Sequence, residues 1–223
     1  MKDNIYEEND ILVRKATIDD DFERMAELIY ETDDYIYPYW FSDDREKCKK
    51  ELSKLMKEEG FFFNYKSIYV AIDKNTNEIV GLTCFVTPET NLEYDYEPLR
   101  EKNERYKFII DEYIYALINE IKEYNAPYIS NVAIYHSQRG KRIGSIMLKA
   151  VMEENKKEYR KILLDVLADN PSAIKLYENL GFRKTSDAKE DIGYGPDDLV
   201  YSYSMEFNEE ADIDDEDGTG IKM

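Results

Sequence analysis

The chain has 223 residues, with 49 Asp and Glu against 30 Lys and Arg, for a formal net charge of −19. That length suffices for one domain with its own hydrophobic core, and the charge repels polyanions, which excludes generic binding to nucleic acid or to an anionic membrane. A cationic partner fits better.

Two cysteines, Cys48 and Cys84, stand in no metal-ligand spacing, so neither a metal site nor an oxidising compartment is expected. Met1 to Glu8 carries acids where a signal peptide needs an apolar run, and no later segment is apolar enough to span a bilayer. A cytoplasmic protein is therefore expected, with residues 1–10 as an N-terminal extension.

Ile11 to Ala16 reads as a strand, followed by Thr17 and Asp20 as a capping box for an amphipathic helix through Phe22, Met25, Ala26, Ile29 and Tyr30. The aromatic run Tyr35 to Phe41 is broken by Pro38 and predicts a loop, either tucked into the core or facing a substrate; a second helix follows at about 43–57. Ser67 to Asp73 and Glu78 to Thr87 form a hairpin across the polar turn Lys74 to Asn77. An inserted segment at about 88–124 is mostly helical, with Ile109, Tyr113, Ala116, Leu117 and Ile121 in phase. Its tyrosines, among them Tyr94, Tyr96, Tyr106, Tyr113 and Tyr115, suit the core, a homodimer interface or a pocket wall.

From Tyr128 the pattern becomes strand, helix, strand, helix, which implies a parallel pair with a right-handed crossover. The second helix has Asn170 as N-cap, Pro171 at its first position and Gly181 just past its end. Leu199 to Phe207 alternates as a last strand, and 208–223 is an acidic tail expected to be disordered.

Between the first strand and helix of that unit lies Arg139-Gly140-Lys141-Arg142-Ile143-Gly144-Ser145, in a stretch free of acids from Tyr124 to Met152. A helix start gathers unpaired N–H groups and a positive dipole end, so this turn suits a phosphate. It matches neither Gly-x-x-x-x-Gly-Lys-Ser/Thr nor Gly-x-Gly-x-x-Gly. Taken with Asn170-Pro171-Ser172-Ala173-Ile174-Lys175-Leu176-Tyr177-Glu178-Asn179-Leu180-Gly181-Phe182, it resembles the Gcn5-related N-acetyltransferase (GNAT) family over about residues 11–207.

The resemblance implies an α/β fold, a mixed and mostly antiparallel central sheet flanked by helices (the acyl-CoA N-acyltransferase fold), in a single domain over 11–207. It implies acetyl-CoA as co-substrate, with its pyrophosphate over Arg139, Gly140, Lys141, Arg142, Ile143, Gly144 and Ser145. Arg142 stands where the family has a glycine; its side chain either obstructs the pyrophosphate or swings out as an added cation on a helical backbone. Val132, Ala133 and Ile134 match the strand whose main chain holds pantetheine, with an N–H near Ile134 as oxyanion donor. Asn170 matches a cofactor contact and Tyr177 the acid that protonates the leaving thiolate, although Tyr177 also suits a ring packed under its helix.

A base is also needed. Asp165 interrupts an apolar strand and, within Leu164-Asp165-Val166, sits where ribosomal-protein alanine acetyltransferases of the family carry a glutamate; it is either the base or a structural hydrogen-bonding group, with Asp111 or Glu112 acting through water as the alternative. His136, the one histidine, reads as a surface residue. The expected activity is direct acetyl transfer from acetyl-CoA to a primary amine of a small molecule or peptide, with cationic acceptors favoured by the net charge. A CoA-binding sensor or scaffold without turnover is the alternative.

Overall fold

The computed structural model describes residues 6–32, 36–41, 44–192 and 199–209. One sheet is built from β1 (Tyr6–Glu8), β2 (Ile11–Lys15), β3 (Ile68–Asp73), β4 (Glu78–Val86), β5 (Tyr128–Ile134), β6 (Lys161–Leu167), β7 (Arg183–Lys184), β8 (Lys189–Ile192) and β9 (Leu199–Asn208). Its order is β1-β2-β3-β4-β5-β6-β9-β7, with β8 also paired to β9. The β5–β6 pair is parallel and the other pairs are antiparallel, which is the mixed sheet expected from the sequence.

Alternation along the strands separates two apolar layers. Ile68, Val70 and Ile72 of β3 face a layer covered by α1 (Phe22–Tyr30), α2 (Ile36–Phe41) and α3 (Arg45–Leu55). The same layer takes the inserted segment, which folds as α4 (Glu97–Arg100), α5 (Glu104–Ile109), a π-helical turn (Ile110–Ile114) and α6 (Tyr115–Tyr124). Tyr69 and Ala71 face the opposite layer, covered by α7 (Ile143–Asn155) and α8 (Pro171–Glu178).

Three local expectations need correction. The Thr17–Asp20 pair does form, with Thr17 N donating to Asp20 Oδ2 at 2.7 Å, but Asp20 is also held by Arg14 at 2.6 Å. It closes a turn upstream of the helix, and Asp21 is the N-cap that accepts from Arg24 N. The aromatic run is helical at Ile36–Phe41, because Pro38 falls in the first turn, where a missing N–H breaks no intrahelical bond. Tyr37 and Trp40 are almost completely buried. Finally, residues 6–8 of the expected N-terminal extension form the edge strand β1. The acidic tail from residue 210 onward lies outside the described residues.

A Cβ on Gly81 would lie 2.4 Å from Ile134 Cδ1 and 2.9 Å from the Ala133 carbonyl oxygen. Gly81→Ala must therefore push β5 away from β4. We expect a loss of about 1–3 kcal/mol, read as a lower urea midpoint at unchanged slope.

Candidate active site

Two irregularities meet at Ser130. In the β4–β5 ladder Cys84 pairs with Asn131 and Phe85 with Ile129, so Ser130 is an extra residue, a bulge. The β5–β6 pairing consists of Tyr128 with Leu163 and Ile129 with Leu164, and beyond it the two strands part. Bulges bend a strand and end its pairing, and here the bend opens a cleft in the middle of the sheet.

The cleft holds two hollows that join. A groove of about 980 Å³ runs along the starts of α7 and α8, and a smaller hollow of about 280 Å³ lies between the parted strands and α6. Thr32, Val132, Asn170, Ala173 and Tyr177 line both, so they mark the junction.

Along the groove the structure gathers Val132, Ala133 and Ile134 on one wall and Arg139, Gly140, Arg142, Ile143, Gly144 and Ser145 at the turn. Lys141 is the exception: it does not line the groove, and its Nζ donates to Gln138 Oε1 at 2.6 Å. Lys149 and Lys175, not singled out in the sequence, join Arg139 and Arg142 there and outnumber the acids Glu8 and Glu31. No side chain caps the first turn of α7, so its amides are left for another acceptor. A polyphosphate fits this set of donors.

Arg142 differs from the sequence reading, which gave it a helical backbone. It is the N-cap of α7 at φ 62° and ψ 15°, in the left-handed region, because the chain must reverse between Gly140 at φ 81° and the helix. A non-glycine residue there costs about 1–2 kcal/mol. Arg142→Gly is accordingly expected to raise stability by about 1 kcal/mol in urea unfolding. Affinity for CoA, the ligand that the sequence resemblance implies, should fall several-fold by calorimetry, since a cation is lost from the groove.

The smaller hollow is built around buried hydrogen bonds. Asn131 Nδ2 donates to Thr32 Oγ1 at 2.8 Å and to the Tyr37 hydroxyl at 2.9 Å, tying β5 to the end of α1 and to α2. The Tyr128 hydroxyl donates to Asp165 Oδ2 at 2.9 Å across the parting strands. Burial, then the Asp165 carboxylate, hold the Tyr128 phenol well above its ordinary pKa, so it remains a donor. Asp165 lines the hollow, as do Glu112 and Glu120. Asp111, the other proposed acid, lines neither hollow and pairs with Arg100 at 2.8 Å, which with Lys107 lowers its pKa.

Tyr177 is 8 % exposed, its ring edge-on to Phe182 at 6.0 Å. Burial pushes its phenol up to about 12, and among the described residues its hydroxyl makes no protein hydrogen bond. Packing under α8 and reaching the junction are thus combined in one side chain. Asn170 caps α8 by accepting from Ala173 N at 3.1 Å while lining both hollows. His136 is exposed and lines neither. Both cysteines are buried away from the hollows, and burial pushes each thiol up to about 12. Asn131 and Tyr128 were missed in the sequence; a polar residue inside the apolar run Tyr128 to Ile134 was the available signal for Asn131.

A sequence model described as the acetyltransferase (GNAT) family matches residues 28–182. Among solved structures, one acetyltransferase superposes with a TM-score of 0.60 at 22 % identity, covering 88 % of this chain and 98 % of its own. An N-acetyltransferase from Staphylococcus aureus Mu50 gives 0.59 at 20 % identity, with 86 % and 98 % covered. A mosquito arylalkylamine N-acetyltransferase like 5b gives 0.57 at 18 %, with 89 % and 99 % covered.

Proposed function

Because the chain belongs to the acetyltransferase (GNAT) family, we propose that it transfers an acetyl group from acetyl-CoA directly to a primary amine. The observation that carries this reading is the junction: a groove rich in cations and an acid-lined hollow meet at the side chain of Tyr177.

In this reading the α7 amides, Arg139 and Arg142 hold the pyrophosphate, and the main chain of Val132 to Ile134 holds the pantetheine arm. An N–H near Ile134 receives the carbonyl oxygen as it gains charge. Bound there, acetyl-CoA supplies a thioester carbon that forms a C–N bond with the amine as its C–S bond breaks. Of the two protons the ammonium sheds, one leaves through Asp165 to solvent. The other balances the proton that Tyr177 gives to sulfur and regains from water. Neither cysteine lines a hollow, which favours direct attack over an acyl-enzyme.

Incubation with acetyl-CoA and a panel of primary amines, followed by a free-thiol assay, tests the proposal. We expect thiol release that depends on the amine. Calorimetric binding of CoA with no amine-dependent release would instead favour a sensor without turnover.

A further inference from the structure

The smaller hollow carries a statement about the acceptor, which rests on the acetyl-transfer reading above. Its charged lining consists of Glu112, Glu120 and Asp165, and among the described residues no Lys, Arg or His lines it. These acids line the hollow and not the groove, so the cleft is unequal in charge: four cations against the two acids Glu8 and Glu31 on the groove side of the junction, and carboxylates without a cation among the described residues on the other. An independent feature points to a ligand at that junction. Tyr177 is only 8 % exposed and lines both hollows, and among the described residues its hydroxyl makes no protein hydrogen bond, so it is left for a ligand there.

We infer that the hollow takes a compact aliphatic amine bearing at least one further cationic group, a diamine or short linear polyamine. Its reacting nitrogen lies at Tyr177 and its second charge lies along Glu112 and Glu120. Those two acids are separated by about two helical turns, roughly 12 Å along the axis at the usual rise. That line of charge matches an extended polyamine better than a single ammonium. Tyr113 and Tyr128 also line the hollow, and aromatic rings are compatible with a nearby cation. At about 280 Å³ the hollow lies at the lower edge of the volumes that hold drug-sized ligands, which disfavours a bulky multi-ring amine.

The test compares spermidine, 1,4-diaminobutane, n-butylamine and a lysine-containing basic peptide as acceptors for the full chain, by thiol release. The expected result is a kcat/KM for spermidine about 10-fold or more above that for n-butylamine, the worth of one ammonium–carboxylate contact. That ratio should fall several-fold in the Glu112→Gln/Glu120→Gln double variant, and in Glu112→Gln alone by less. Equal use of n-butylamine, a ratio unmoved by the substitutions, or preference for the peptide overturns the inference while leaving acetyl transfer intact. If no amine releases thiol, the acetyl-transfer reading fails. The hollow is then judged by calorimetry of spermidine against the CoA-saturated chain: binding that weakens at least about 5-fold in the double variant upholds the polycation site, and no binding overturns it.

Discussion

Tyr177→Phe should lower kcat by about 100-fold or more while leaving the thermal midpoint unchanged or slightly raised. The substitution removes only a hydroxyl. Among the described residues that hydroxyl makes no protein hydrogen bond, so its loss breaks none and removes a polar group from a largely buried side chain. The ring contact with Phe182 survives. A purely structural tyrosine would show the reverse, with activity retained and stability changed.

The pH dependence has a definite sign. Burial pushes the phenol up to about 12, against about 10 in an unfolded chain. Its protonated form is therefore favoured by folding, and the associated stability is present below about pH 10 and lost as pH rises through about 12. Across about pH 6 to 9 the phenol stays protonated in both states. Any rise of kcat/KM in that interval belongs to the amine or a carboxylate and should persist in the phenylalanine variant. A rate profile that loses that rise with Tyr177→Phe would sink its role as the acid.

Gly60→Ala is expected to destabilise the chain by about 2–4 kcal/mol and to raise KM for the amine more than KM for acetyl-CoA. Gly60 sits at φ 78°, and a Cβ there would lie 2.7 Å from the Tyr94 backbone nitrogen and 3.0 Å from the Glu93 carbonyl carbon. Backbone cannot swing aside as a side chain can, so the 93–94 segment must move. That segment is the root of the inserted helices: Tyr94 and Tyr96 pack on Phe61 at 5.4 and 6.0 Å, and the Tyr96 hydroxyl accepts from Phe62 N at 2.9 Å. Loosening it displaces α6, which lines the smaller hollow but not the groove. Urea unfolding and steady-state kinetics on the same variant measure both effects; equal rises in the two KM values would contradict this division of the cleft.

What could be read from the chain alone was what depends on neighbouring residues. Asn170 and Pro171 announce the start of α8 because a cap and a first-turn proline act within one turn. The hairpin β3–β4 followed from alternation and a polar turn. The spacing of Arg139 to Ser145 and Asn170 to Phe182 carried the family, since each motif serves its own strand–helix junction. Tertiary contacts decided the rest. Asp20 was a plausible helix box until Arg14 claimed it. The left-handed backbone of Arg142 reflects a chain reversal that no preference of arginine announces. Asp165 meets Tyr128 across 37 residues and Asn131 meets Tyr37 across 94, distances over which propensity carries no information. The opening itself depends on register: one extra residue at Ser130 ends the pairing of β5 with β6, and only strands already aligned in a sheet can have a bulge. The sequence by itself determined that a basic turn suited to a phosphate and an Asn–Tyr helix exist; the tertiary structure decided that they line one groove beside a parted sheet, with the carboxylates of the smaller hollow beyond it.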